Sequence, residues 1–592
     1  MLQRRRLLGA LSFLLFSFWG CQQKRDLSEN TLIVHMSYEP DNLHPTNSGS
    51  SMASWIANYT HRALLRVDME SLEVIPWLVE TMPVIADSGR RYTYRLLDSI
   101  YWDDGTPLTV DDIIFTLKVI KNPLTDNASS RPLYQNVLDI EKDPDDPLTF
   151  TVVTGGPHIS NISIMAFDLL QKSHWDPQGV LDKYSLREIG SPDFDATQDP
   201  ALVEWSKNFN SGDNGRVPEK IVGLGPYQIT EWKVGNYIVL TRKKNWHAAR
   251  NDTFIYDTRY PEKIIFKLIR ESNAAALALK RQKLDVTVDL GTNDLLKLRK
   301  RQYFNQNYAS DFVDRFGYSY IGLNMRPDGV THKPFFVDKR VRRAMAHLVP
   351  VDEIIQVIAK GKASRYVTMV SPLKKEFHRG LKPIPFDVEK AKQLLDEAGW
   401  IDTDGDNIRD KEVNGERLPF RFYLNYMSSP VSKEIVLMIK EAMYQAGVEV
   451  VPNPMDFAIF YKKAGNHDFD AMMGGWSSSA LPNDFSQLWH TKSWANKGYN
   501  FVGFGTPESD SLIELANRTI DPQKRIQIVR RLQEIVYDEQ PYVFLFSTKR
   551  KIAIHRRFDN IKMYKERPAV ILNNLKLKPA FARQGTAPDQ PF

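Results

Sequence analysis

Between Asp402 and Asp410 the chain reads Asp-Thr-Asp-Gly-Asp-Asn-Ile-Arg-Asp. Asp402, Asp404, Asp406 and Asp410 put carboxylates at positions 1, 3, 5 and 9 of a loop, with a backbone carbonyl at position 7. That spacing can wrap one hard cation such as calcium. Asn407 stands where an EF-hand needs glycine, and Val413 where it needs a bidentate glutamate, so an acidic hairpin turn remains the other reading. A second constellation is Gly474-Gly475-Trp476-Ser477-Ser478-Ser479, with His490 downstream. Serines near a histidine in sequence do not make a triad, because the triad is a matter of geometry. The chain has no Gly-x-Ser-x-Gly elbow, His-Glu-x-x-His helix, Walker loop or Cys/His cluster, so catalysis has no specific residues behind it. No motif requires a cofactor, and structural calcium at the acidic loop is the one cation the sequence invites. Trp476 places a large ring among glycines and serines, which suits a cavity wall, with a core position as the alternative.

The elements that must position these residues alternate along the chain. Thr31–Met36 reads as a strand, followed by a turn at Tyr38-Glu39-Pro40-Asp41-Asn42. Thr109 is placed to cap an amphipathic helix on which Ile113, Leu117 and Ile120 share a face, with Asp112 favourable to its dipole. Helical periodicity covers 274–280, Val388–Glu397 and 522–537. Strand patterns cover 264–268, 421–426 and a β-rich tail over 543–554 that can return to pair with early strands. In Gly223-Leu224-Gly225-Pro226-Tyr227 the glycines can supply positive φ at a bend entering a strand. Asp338 is a predicted helix cap with Phe335 buried beneath it. The mixture is α/β. A chain of 592 residues exceeds the roughly 250–300 residues that one core sustains, so two or three lobes are expected.

The N-terminus carries Arg4, Arg5 and Arg6 ahead of an apolar run over 7–19, the length of a secretory h-region rather than a membrane span. No later run approaches the roughly 20 apolar residues of a spanning helix. Cys21, the only cysteine, excludes an internal disulfide, and its place after Gly20 resembles the lipobox of bacterial lipoproteins. That likeness implies a signal peptide over 1–21, an acylated Cys21 as mature N-terminus, and a polar tether over 22–29. A non-lipidated signal peptide with an incidental cysteine is the alternative, since Phe18 and Trp19 are bulkier than lipobox residues. The arginine run lacks the neighbours of a twin-arginine signal, which leaves ordinary secretion. With 78 basic against 72 acidic residues, and part of the excess in the first six, nothing points to nucleic acid.

Six blocks, taken in order, resemble the family 5 extracellular solute-binding proteins: 101–115 (YWDDGTPLTVDDIIF), 223–233 (GLGPYQITEWK), 321–345 (IGLNMRPDGVTHKPFFVDKRVRRAM), 386–400 (FDVEKAKQLLDEAGW), 468–476 (DFDAMMGGW) and 500–504 (NFVGF). The resemblance implies the enlarged periplasmic-binding-protein fold. Its lobe I would comprise 30–61, 206–287 and 541–592, its inserted small lobe II 62–205, and its lobe III 288–540. It implies no enzyme but a monomeric, extracytoplasmic receptor that closes on an oligopeptide or peptide-like ligand and serves an ABC importer permease, touching the membrane only through its lipid. The family's peptide receptors place a tryptophan on the cleft wall, here Trp476, and three residues later an aspartate for the peptide's α-ammonium. Here that position is Ser479, and Asp484 stands nearby as a substitute carboxylate. Tyr38, Asn324, Asn425 and Tyr426 fall at strand ends where the family lines its cleft. The fold also hosts receptors for nickel, opines, haem and oligosaccharides, so it does not fix the ligand.

Overall fold

Alternating burial in Thr31–Met36, where Leu32, Val34 and Met36 are fully enclosed, seeds the first of the three sheets that have four or more strands among the described residues. A computed structural model describes residues 25–128, 130–246, 250, 254–496 and 498–582; Cys21 and the apolar run 7–19 lie outside the described residues. The strand runs parallel to Lys263–Leu268 (Thr31 opposite Lys263) and to Val286–Thr287. The complete order is Tyr308–Val313, Arg550–His555, Val286–Thr287, Thr31–Met36, Lys263–Leu268, Tyr237–Arg242 and Tyr227–Lys233. Helix Ser51–Thr60 packs on this sheet, with Trp55 edge-on to Phe266 at 5.3 Å. The Ser50 hydroxyl accepts from the Met52 and Ala53 amides and caps that helix.

A four-stranded antiparallel sheet lies within 84–154, ordered Val84–Ala86, Arg91–Arg95, Thr149–Thr154 and Val137–Lys142. Helix Val110–Lys121 shares its core, burying Ile113, Leu117 and Ile120 as their spacing predicts. The Thr109 amide donates to Asp112 Oδ2 at 2.9 Å.

The third sheet is ordered Glu449–Met455, Arg421–Met427, Ala471–Trp476, Tyr318–Leu323 and Tyr542–Phe544. Its strands are apolar on both faces because both are covered. Ile321, Leu323, Leu424 and Val543 meet helices Lys339–Leu348, Val388–Glu397 and Pro430–Tyr444 in one core. Tyr318, Tyr320 and Met472 meet helices Pro507–Arg518 and Pro522–Glu539 in another. Asp338 caps Lys339–Leu348 through the Arg340 amide at 2.8 Å, and Phe335 is buried, both as expected.

The structure departs from the expected divisions in three places, two of them strand pairings. Tyr308–Val313, expected in the third segment, pairs with Arg550–His555 in the first sheet (Asp311 opposite Ile552). Tyr542–Phe544, expected with the tail of the first, pairs with Tyr318–Leu323 (Ile321 opposite Val543). The chain crosses between the two bodies inside continuous β-rich stretches, where no turn-rich linker marks the passage. The expected tether is docked from Arg25 onward: the Arg25 guanidinium pairs with Asp285 at 2.6 Å, and the Leu27 and Glu29 carbonyls accept from Arg557.

The reading of Gly223 and Gly225 is also corrected. Neither has positive φ. Each is glycine because of close backbone approach: a Cβ on Gly225 would stand 2.3 Å from the Tyr59 carbonyl oxygen, and one on Gly223 would stand 2.3 Å from that of Thr60.

Candidate functional site

Helix Ser51–Thr60 presents Ser54 and Asn58 to two adjoining cavities, which also share Arg567. The spacing of four puts both side chains on one helix face. The first cavity, of about 330 Å³, lies against the ends of the seven-stranded sheet and includes His35, Tyr38, Asp289, Arg315 and Lys549–Lys551 in its lining. The second, of about 440 Å³, adds Arg66, Trp77 and Asp168 from the four-stranded body, Ser479 and Leu481 from the five-stranded body, and Glu566 from the tail. A concavity where three separately cored bodies converge is a common location for a ligand site.

The two spaces differ in charge. In the first, Arg315, Lys549, Arg550, Lys551 and Arg567 face one lining carboxylate, Asp289. Burial, reinforced by repulsion from Arg567 and Arg315, pulls Arg550 down to about 10, so it stays cationic at neutral pH. His35 is held below its ordinary value by burial; its Nε2–H donates to the Ile269 carbonyl at 2.9 Å and its Nδ1 accepts from Thr287 at 2.8 Å. Arg567 donates to Ser51 Oγ (3.2 Å) and Ser477 Oγ (2.7 Å), linking the helix to the end of strand Ala471–Trp476.

In the second cavity, burial raises Asp168 to about 7 despite the opposing pull of Arg62. Glu566 accepts from the Ala480 amide at 2.5 Å and the Arg567 amide at 2.9 Å. Burial keeps His61 neutral, lowered to about 3. Arg66 lies over the Tyr256 ring at 3.2 Å.

Tyr38 lines the first cavity and Ser479 the second. Trp476 lines neither. Its half-buried ring stacks on Tyr320 (6.1 Å, 11°), and its Nε1 lies 3.4 Å from Tyr542 Oη, within an aromatic cluster that includes Phe501. Asp484 is turned away and accepts from the Ser486 amide and Asn517 Nδ2, both at 2.8 Å. Asn324 is buried and donates to the Phe469 carbonyl at 2.9 Å. Asn425 accepts from its cross-strand partner Asn453 at 2.8 Å, and Tyr426 belongs to the apolar core. These three strand-end positions serve the sheet because their side chains are already engaged there. No hydrogen bond joins the serines 477–479 to His490 among the described residues; the His490 Nδ1 accepts from the Lys492 amide at 3.1 Å.

In the acidic loop Asp402, Asp404 and Asp410 bring one oxygen each within 4.8 Å of the others, and Asp406 stands outside that group. Asp406 instead accepts from the Ile408 amide at 2.7 Å. Arg417 lies 2.5 Å from Asp404 and 2.7 Å from Asp410, so a guanidinium already supplies counter-charge.

Sequence reasoning missed Asp168, Glu566 and the cationic group. The one local signal for them was the run Lys549-Arg550-Lys551 inside an otherwise apolar tail, where charge interrupts strands that are buried on both sides.

A family model of the bacterial extracellular solute-binding proteins, family 5 (middle region), matches residues 73–499. The oligopeptide-binding protein AppA of Bacillus subtilis (strain 168) is 26% identical over 551 residues, 92% of this chain and 90% of that protein. A solved structure of AppA from Bacillus subtilis in complex with a nonapeptide has TM-score 0.69 at 23% identity, covering 94% of this chain and 100% of the other. NikA from Brucella suis in complex with Fe(III)-EDTA has TM-score 0.72 at 19% identity, covering 93% and 100%. These structures share the enlarged α/β binding-protein fold that the sequence blocks implied. With the family match extending over most of its length, the chain belongs to the bacterial extracellular solute-binding proteins, family 5, and is a binding protein of transport rather than an enzyme.

Proposed function

We propose that the chain is the substrate-binding lipoprotein of an ABC importer, capturing an oligopeptide or peptide-like solute in the paired cavities and delivering it to the permease. The observation that carries this reading is the contrast between the adjoining cavities: one sets five lining cations against the single carboxylate Asp289, while the other balances Arg66 and Arg567 with Asp168 and Glu566. A peptide is a zwitterion whose C-terminus suits the first and whose N-terminus suits the second. The names of relatives agree: AppA is an oligopeptide-binding protein, and DppA from Helicobacter pylori was solved with the peptide STSA. Asp168 supplies the carboxylate that Ser479 lacks. Its raised value means that it is part-protonated near neutral pH and ionises fully when an ammonium group arrives.

The reading is tested by mass spectrometry of the solute that co-purifies with protein made in its native compartment, followed by calorimetric titration of the identified compound. A peptide whose binding weakens below pH 7, and whose pH dependence disappears in Asp168→Asn, is the expected result. A bound sugar or metal chelate without peptide character would refute the ligand assignment.

A further inference from the structure

The first cavity holds more positive charge than the end of a peptide chain requires. Of its five lining cations, Lys549 is matched by Asp314 at 3.2 Å. Arg315, Arg550, Lys551 and Arg567 remain against Asp289, whose carboxylate also accepts from Ser37 Oγ at 3.2 Å. Glu566, the next acidic group, is occupied by two backbone amides. Among the described residues, the Arg550 and Lys551 side chains make no hydrogen bond or ion pair, and Arg550 Nε is closed off from water without an acceptor. Desolvated charge without a partner costs several kcal/mol unless something arrives to pair with it. A C-terminal carboxylate brings one negative charge.

We infer that this cavity selects peptide ligands bearing carboxylates beyond the C-terminus, so that the cargo is an acidic peptide and not a neutral one; the inference rests on the peptide-binding reading above. Arginines suit this task because a guanidinium receives a carboxylate through two parallel N–H donors. Arg315, Arg550, Lys551 and Arg567 line the same cavity, and burial, with repulsion from neighbouring cations added to it, lowers both Arg550 and Lys551. Tyr38 and Trp55 border the same space, so the hydrocarbon part of an acidic side chain has aromatic surface to lie on.

The test is calorimetric titration of the wild-type protein with the pentapeptide Ala-Glu-Ala-Glu-Ala, its isostere Ala-Gln-Ala-Gln-Ala, and citrate as a non-peptide polycarboxylate. The glutamate peptide should bind at least about tenfold more tightly at low ionic strength, and the ratio should narrow as salt is raised. Arg550→Met and Lys551→Met should each weaken the glutamate peptide by about tenfold more than the glutamine peptide, which keeps only its C-terminal carboxylate, so that the ratio between the two narrows. Equal affinity of the two peptides for the wild type would overturn the inference and leave peptide binding intact, whatever the variants do. Binding of citrate with neither peptide bound would overturn the acidic-peptide inference together with the peptide reading. Failure of all three to bind would end both.

Discussion

His332 stands between two carboxylates, its Nδ1 2.9 Å from Asp470 and its Nε2 2.9 Å from Asp468. Burial alone would lower its pKa, but the two carboxylates together raise it. A histidine whose folded value is raised contributes stability fully below its unfolded pKa of about 6.5 and loses it as pH rises through the folded value. Thermal melts of wild type and His332→Gln should therefore differ more at pH 5.5 than at pH 8.5; an equal gap at both would show the imidazolium pairing to be energetically silent. The acidic loop gives a second residue-scale expectation. Asp402 is satisfied by the Gly405 and Asn407 amides, and Arg417, through its hydrogen bond to Asp410, holds that carboxyl at about 2. With a guanidinium lodged among these oxygens, millimolar calcium and chelator should give superimposable melting curves for the wild type. Arg417→Gln, which removes the counter-charge, should gain a calcium-dependent rise by mass action. A calcium-dependent rise in the wild type would mean that the cation displaces Arg417.

Elements whose ends are set by nearby residues were legible in the sequence. Val388–Glu397 begins at Asp387, which accepts from the Lys390 amide, and Pro522–Glu539 begins at Asp521 and Pro522. Caps and a 3.6-residue apolar period act within a few positions, so the residues record them. The exchange of Tyr308–Val313 and Tyr542–Phe544 between sheets was not legible, because pairing partners more than 200 residues apart leave no local mark. For the same reason Tyr38 and Ser479 are cleft candidates only through the family resemblance, while Asp168, Glu566 and Arg550, brought together only by the packing of three bodies, have no such pointer. Gly225 shows how an element positions the site. Its amide donates to the Thr60 carbonyl at 2.9 Å, and an added Cβ would lie 2.5 Å from Thr60 C and 2.7 Å from Thr60 Cα, all backbone with no side chain able to yield. Gly225→Ala must push back the end of helix Ser51–Thr60, which presents Ser54 and Asn58 to both cavities. A loss of about 1–3 kcal/mol in chemical denaturation is expected from such overpacking, together with weaker ligand binding. Unchanged denaturation midpoint and affinity would show that the contact relaxes at no cost.

At the scale of the whole molecule, the fold's first fixed point lies close to its proposed anchor. Arg25 pairs with Asp285 at 2.6 Å, and Arg557 donates to the same carboxylate through Nε (2.9 Å) and Nη2 (3.0 Å) while also holding the Leu27 and Glu29 carbonyls. Burial would raise Asp285, but the two guanidiniums keep it below the usual carboxylate range. This buried ion cluster clamps the chain from Arg25 onward, leaving only residues 22–24 between Cys21 and the folded body. Three extended residues span at most about 11 Å, so an acylated Cys21 would hold the Arg25 end of the folded body close to its bilayer. Two acyl chains anchor stably, whereas the folded body has no described helix long and apolar enough to cross a membrane. Cys21→Ser should therefore move the protein from the washed membrane fraction to the soluble extracytoplasmic fraction. Its melting temperature should stay the same, because the clamp begins after the substituted residue. Retention of Cys21→Ser on washed membranes would discard the lipid anchor. Release accompanied by a lower melting temperature would show that the anchor, and not the Arg25–Asp285–Arg557 cluster, fixes the start of the fold.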